Sequence, residues 1–214
     1  MKKFTDIFRG VFVKRIGPFS IDDPFVKIAS RKAAEVCRKF DLHEEAKTHL
    51  NNESTPEQFV ERLVRSKFHA DAVRFLAYAL PKQEAVWWAC KCVRCVPVCF
   101  GDETAIQALR AAEAWIRNPG EASRQAALRA GKKHSFEMPT APAAWTAMAA
   151  AWSGGSTTTG DENVPAPPEH MTAHAASGAI LLSATARSDQ ADKVHREFLE
   201  MGVQIAQGKI KISA

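Results

Sequence analysis

Apolar residues recur every three or four positions along almost the whole chain after residue 23, with polar residues between them. This spacing puts the apolar side chains on one face of an α-helix, whereas a half-buried strand needs alternation at every second residue. The pattern therefore predicts a series of helices joined by short loops. The predicted helices cover about 26–40, 42–50, a segment that begins after 55, a segment that ends near 80, 83–95, 102–118, 121–130, 143–152, 169–186 and 189–207.

Several helix ends are marked by local signals. Thr55-Pro56 predicts a helix start, because threonine caps and proline fits the first helical position. Asp102 predicts a second cap. Gly131 predicts the end of one helix and Gly154-Gly155 the end of another, since glycine readily adopts the left-handed conformation at a helix C-terminus.

The fold class that follows is all-α, with about nine or ten helices in stacked antiparallel hairpins that form a short solenoid-like array or an irregular bundle. Abundant alanine and a single tyrosine agree with this prediction. We divide the chain into a basic amphipathic N-terminal arm (1–22), one helical domain (23–208) and a C-terminal tail (209–214). A chain of 214 residues is long enough to bury a core of its own.

The N-terminal arm carries most of the net charge. Residues 1–16 contain five basic residues and one acidic residue, a net +4, whereas the whole chain has +5. Apolar residues recur in the arm at helical spacing, and Gly17-Pro18 ends the pattern. Three interpretations stay open: docking on the body, an anchor for a partner protein, and weak association of residues 1–16 with a membrane surface. The candidate contact residues in the arm are Phe4, Phe8, Arg9, Phe12, Lys14 and Arg15.

Charge and cysteine usage narrow the class of protein. The body is close to neutral, whereas a nucleic-acid-binding domain concentrates basic residues on a folded face, so we expect no nucleic-acid partner. Five cysteines, four of them within residues 90–99, do not fit a secreted disulfide scaffold and favour a reduced cytoplasmic protein. No apolar run reaches membrane-spanning length, and charged residues interrupt the N-terminus where a signal peptide would be apolar.

The cysteine cluster admits two interpretations. On a helix, Cys92, Cys95 and Cys99 share one face with Trp88, which is typical of a packed core because free cysteine behaves as a small hydrophobic residue. Cys90 points away from that face. The alternative is a metal- or redox-dependent enzyme or sensor that uses residues 90–99.

Three further residues are candidates for contact with a partner. Trp87 is turned about 100° from Trp88 on the same helix, at the boundary of the core, where it packs under a neighbouring hairpin or lines a groove. His170 and His174 are four residues apart and share a helix face. Two ligands alone do not complete a zinc site, so these histidines fit a structural hydrogen bond or a binding surface better than a metal centre. We predict no cofactor and find no recognisable catalytic motif.

Three segments together resemble a bacterial family of small all-helical proteins of unknown function. They are the Ala-Val-Trp-Trp-Ala helix at 85–89, the Trp-x-x-x-Pro helix exit at 115–119, and the Trp-Ser-Gly-Gly-Ser turn at 152–156 followed by Pro-Pro-x-His at 167–170. The resemblance extends over roughly residues 24–208. It implies an all-helical fold and, because genes of the family often lie near type VI secretion components, a cytoplasmic adaptor or chaperone accessory to such a system.

The predicted function is accordingly a non-enzymatic protein-interaction module whose partner is another protein, in the resembled setting a secretion component or an effector. Helical-hairpin scaffolds offer extended surfaces for this purpose. The link to secretion comes from the resemblance alone, and no residue pattern in the chain adds to it.

Overall fold

The computed structural model describes residue 21 and residues 23–95, 102–137, 142–155, 166–185 and 191–212. These residues contain ten α-helices and no strand, which confirms the predicted all-α class. The helices are α1 (Ala33–Cys37), α2 (Glu44–Lys47), α3 (Pro56–Arg65), α4 (His69–Ala79), α5 (Lys82–Arg94), α6 (Glu103–Arg117), α7 (Glu121–Glu137), α8 (Pro142–Ala151), α9 (Met171–Thr185) and α10 (Ala191–Ala206).

The helices form a bundle with α5, α8 and α9 at its centre. Helix α5 packs against α6, α8, α9 and α10, while α4 packs against α9 and α10 as well as its sequence neighbour α3. A linear solenoid would bring together only adjacent helix pairs. Contacts between helices that are far apart in sequence make this fold an irregular bundle.

Small residues allow the close packing of α8 with its neighbours. Most of α8 is alanine, and it packs against α6, α7 and α9. Gly131 of α7 faces Met148 of α8, and a Cβ atom at that glycine would lie 2.8 Å from the methionine sulfur. Helix α7 continues through Gly131 to Glu137, so the prediction that Gly131 ends a helix is wrong. The glycine instead allows close contact between α7 and α8.

Two predicted helix starts are confirmed in detail. The Thr55 side chain accepts a hydrogen bond from the Gln58 backbone N–H, and the Gln58 side chain accepts one from the Thr55 N–H, which completes a capping box. The Asp102 carboxylate accepts hydrogen bonds from the backbone N–H groups of Thr104 and Ala105. Local sequence alone fixes these ends, because each cap needs only residues within one turn.

The first predicted helix is mostly absent. Residues 24–32 form turns and irregular chain, and only Ala33–Cys37 is helical. The reason is a contact with the far end of the domain, where the Lys27 N–H donates to the Ala206 carbonyl at 2.9 Å. Lys209 Nζ lies 2.6 Å from an Asp23 carboxylate oxygen, and both Ile210 and Ile212 pack against the core. The two ends of the described chain thus lie side by side.

No described helix combines the length and the apolar character that crossing a membrane requires.

Candidate functional site

The cysteine-bearing part of α5 is buried. Cys90 and Cys92 are almost completely inaccessible, and Cys95 is half-buried with its Sγ 3.2 Å from the Lys91 carbonyl oxygen. Cys99 lies outside the described residues. Burial raises the pKa of the Cys92 and Cys90 thiols, so the reactive thiolate form is disfavoured. Cys90, which the helical spacing turned away from the apolar face, is buried too, because helices surround α5 on most sides.

Histidine, cysteine and acidic side chains do not assemble into a metal site in the described ranges. No group of three or more of them there is arranged so that it could hold a metal ion. The described residues therefore offer no ligand set for the metal-dependent alternative.

Trp87 offers little area to a partner. It is only 8% exposed, and the Lys91 ammonium lies 5.6 Å from the centroid of its ring. A cavity of about 260 Å³ beside it is closed on one side by Ile212 of the C-terminal tail. The structure thus gives Trp87 mainly a packing role, beneath α5's own lysine and next to the end of the chain.

The two predicted histidines lie at the start of α9 and are exposed. The His170 ring centroid lies 6.4 Å from that of Tyr78, and the His174 ring centroid lies 6.2 Å from that of Trp145. Trp145 in turn meets Trp152 edge to face, with 6.3 Å between ring centroids. Each histidine thus contacts a different aromatic residue.

We call these five side chains the aromatic–histidine strip, and define it as Tyr78, Trp145, Trp152, His170 and His174. They form two groups, Tyr78 with His170 and Trp145 with Trp152 and His174, which are joined by the helical turn from His170 to His174. The three aromatic residues are half-buried, so each presents part of its ring to solvent. The Trp145 Nε1–H is buried and finds no acceptor among the described residues. Aromatic residues are enriched at protein-binding sites, and a partner could supply the acceptor for the Trp145 Nε1–H group.

The Trp-Ser-Gly-Gly turn that follows α8 is held by two cations. Arg124, almost fully buried on α7, donates from Nη1 to the Ala151 carbonyl at 2.7 Å, and Lys82 Nζ donates to the Ser153 carbonyl at 2.8 Å. These bonds satisfy carbonyl groups at the C-terminus of α8, where positive charge is favourable. Arg124 also binds both carboxylate oxygens of Glu121, which lowers the pKa of that carboxyl to about 2.

Gly155 completes the turn in the predicted left-handed conformation, with φ of +62°. A Cβ atom there would lie 2.7–2.8 Å from the Arg124 guanidinium. A cleft of about 350 Å³ lies over the turn, with Trp115 in its wall. The glycine is therefore required both for the backbone conformation and for the approach of the arginine, which gives this motif a structural explanation.

The sequence analysis did not include Tyr78, Trp145 and Trp152 among the site residues. The sequence could have indicated the two tryptophans, because Trp145 and Trp152 are seven positions apart and such residues lie on the same face of a helix. Tyr78 carried no such signal, since its contact with His170 joins α4 to the start of α9. Residues 4, 8, 9, 12, 14 and 15 of the arm lie outside the described residues, so their predicted contact with a partner stays a prediction.

Comparison with known proteins identifies a family whose function is unknown. A family model described as a family of unknown function (DUF6931) matches residues 59–206, which include α5, the strip and the Trp-Ser-Gly-Gly turn. No curated protein and no solved structure matches the chain.

Proposed function

Since the chain belongs to the DUF6931 family, whose function is unknown, no activity comes to it from relatives, and we propose from its own surface that it is a non-enzymatic protein-interaction module. The observation that carries this proposal is the aromatic–histidine strip. It combines partly exposed indole and phenol rings with two exposed histidines along the first turns of one helix.

Tryptophan and tyrosine dominate the binding energy of protein interfaces, because they bury a large area with few rotatable bonds and keep a polar group for hydrogen bonding. Trp145 and Trp152 pack edge to face on α8 and the turn after it, so each ring restricts the rotamers of the other. Side chains that are already restricted lose less entropy on binding. The strip thus has the composition of a binding surface.

The alternative, chemistry at the cysteine cluster, has less support. Thiol chemistry needs a thiolate, and burial raises the pKa of Cys90 and Cys92. For metal binding, the described residues contain no group of three or more histidine, cysteine or acidic side chains that could hold an ion. The histidines point to separate aromatic partners and share no acidic residue in the described contacts. As far as the described residues extend, which excludes Cys99, neither group is arranged for nucleophilic or metal-assisted catalysis.

For the partner we propose a component or an effector of a bacterial type VI secretion system, with the chain as a cytoplasmic adaptor or chaperone. The support for this step is the resemblance of the Ala-Val-Trp-Trp-Ala, Trp-x-x-x-Pro and Trp-Ser-Gly-Gly-Ser segments to a family whose genes often lie near secretion components. The strip supplies a surface for such a partner but does not identify it.

Site-specific photo-crosslinking in the native host tests both steps. A photoreactive benzoylphenylalanine is introduced at His174, and in a separate variant at Arg110, an exposed residue of α6 outside the strip. We expect an adduct with a secretion component, identified by mass spectrometry, from position 174 only. Trp152→Ser in the same background should abolish it.

The outcomes separate the two steps. An adduct from position 174 with a protein unrelated to secretion would keep the interaction role and overturn the secretion assignment. The absence of any adduct from position 174, or the same adducts from both positions, would overturn the interaction role of the strip.

A further inference from the structure

A cavity with both polar and apolar residues in its wall lies where the end of α4 meets the first turns of α5 and α9. Its volume is about 220 Å³. The polar and charged residues in its wall are Lys39, Tyr78, Lys82, Glu169, His170 and Thr172. Lys82 also binds the Ser153 carbonyl, and Tyr78 and His170 also belong to the aromatic–histidine strip, whereas Lys39, Glu169 and Thr172 have no role in the sites described above.

We propose that this cavity binds a phosphate group, either as inorganic phosphate or as a phosphate monoester. The cavity shares Tyr78 and His170 with the aromatic–histidine strip, but the inference does not rest on the protein-interaction role, because phosphate binding can be measured on the isolated chain whether or not the strip has a partner.

Two helix N-termini contribute to the cavity wall. Helix α5 begins at Lys82 after Pro81, which supplies no side-chain cap, unlike Thr55 and Asp102 in α3 and α6. Thr172 lies in the first turn of α9. The N–H groups at helix starts lack intrahelical partners and carry partial positive charge, so they favour an oxyanion.

The second observation is a buried hydroxyl with no partner. Thr172 is 1% exposed, it forms part of the cavity wall, and its Oγ1 makes no hydrogen bond within the described part of the chain. A buried polar atom normally has a partner, so an unmet hydroxyl beside a cavity indicates that the cavity supplies one. Tyr78 also lies in the cavity wall, and its phenolic hydroxyl is a second available donor.

The charges in the wall favour an anion by a small margin. Lys39 and Lys82 provide two positive charges and Glu169 one negative charge, a net +1 before any contribution from His170. The Lys82 ammonium is held by the Ser153 carbonyl at 2.8 Å, so it acts as a fixed charge, while Lys39 is exposed and can turn towards a ligand. The Glu169 carboxylate repels an anion, so removing its charge should increase the affinity for phosphate.

The chain contains one tyrosine, and that tyrosine lies in the cavity wall. Protein labelled with 3-fluorotyrosine therefore gives a single fluorine resonance, which reports on this site. We expect the resonance to shift saturably on titration with sodium phosphate, and to shift without saturation or not at all with sodium chloride at equal ionic strength. Methyl phosphate, titrated in parallel, shows whether the site also accepts a monoester or only the free ion.

Variants assign the effect to the cavity. We expect Lys39→Gln to weaken phosphate binding roughly three- to ten-fold, the effect of losing one exposed charged hydrogen bond. Thr172→Val should weaken it as well, and Glu169→Gln should strengthen it. Lys133→Gln, at an exposed lysine of α7 outside the cavity, is the control and should leave the affinity unchanged.

The proposal is overturned if chloride reproduces the phosphate shift, or if Lys39→Gln and Lys133→Gln change the affinity equally. If Thr172→Val does not fold, the opposite effects expected of Lys39→Gln and Glu169→Gln still decide the question, because both residues are exposed and their replacement leaves the core intact.

Discussion

The contact between Trp88 and Gly202 gives the sharpest test of the bundle. Trp88 is fully buried on α5, and its Nε1–H donates to the Phe198 carbonyl of α10 at 2.9 Å. Gly202, one turn further along α10, lies under the indole ring, and a Cβ atom there would lie 2.7 Å from Trp88 Cε2. A backbone hydrogen bond and a ring contact thus join the two helices at one place.

We expect Gly202→Ala to destabilise the protein. The methyl group overlaps the ring, and overpacking of this kind costs about 1–3 kcal/mol, against which the higher helix propensity of alanine returns about 1 kcal/mol. Gly178→Ala is the matched control, because Gly178 is also helical, on α9, and a Cβ atom there meets nothing within 4 Å. That change should stabilise the protein by up to about 1 kcal/mol.

Urea unfolding of the single and double variants measures the contact itself. Trp88→Phe removes the indole N–H and part of the ring, and should cost about 2–4 kcal/mol. In the double variant the new methyl group enters the vacated space, so the combined loss should be smaller than the two single losses together. Equal effects of Gly202→Ala and Gly178→Ala, or strictly additive losses in the cycle, would refute the contact.

Three other predictions follow from the described geometry. Gly155→Ala should lower the unfolding free energy by about 1–3 kcal/mol in urea melts, because of its positive φ and the Arg124 guanidinium, while Gly154→Ala, with nothing within 4 Å of its Cβ position, should change it little. Burial lowers the pKa of His195 below its ordinary value of 6.5. As the pH falls, this histidine is therefore protonated in the unfolded chain at a higher pH than in the folded protein, which favours unfolding. The melting temperature should therefore fall as the pH drops through 6.5, and His195→Gln should reduce that slope; an unchanged slope would contradict the burial of this ring. Peptide mapping after alkylation should show Cys90 protected in the native protein and modified in urea, and rapid native labelling would contradict its inaccessibility.

The sequence was sufficient to predict those local features, such as helix caps and turns, that depend only on neighbouring residues. The caps at Thr55 and Asp102 were predictable, because donor and acceptor lie within one turn. The left-handed Gly155 was predictable from the glycine pair after an alanine-rich helix. The continuation of α7 through Gly131 was not, because the contact that explains it involves Met148 in another helix. Periodicity likewise overextended the first helix, since the partner of Lys27 lies at the other end of the chain.

The candidate site shows the same division. Four-residue spacing placed His170 and His174 together at the start of a helix, as observed. Their ring partners, Tyr78 and Trp145, belong to α4 and α8, and no local pattern links either helix to α9. The spacing thus located the site, but the three-dimensional packing determined which side chains complete it.

The burial of α5 by helices that follow it late in the sequence has a consequence for biosynthesis. The hydrogen bond from Trp88 to the Phe198 carbonyl joins residues 110 positions apart, and α9 and α10 supply much of the surface that covers α5. On the ribosome, the tryptophan-bearing helix emerges long before the helices that bury it. The nascent chain therefore exposes the Trp87–Trp88 segment until translation is nearly complete, and a stop codon anywhere before α10 leaves Trp88 without the helix that its ring contacts.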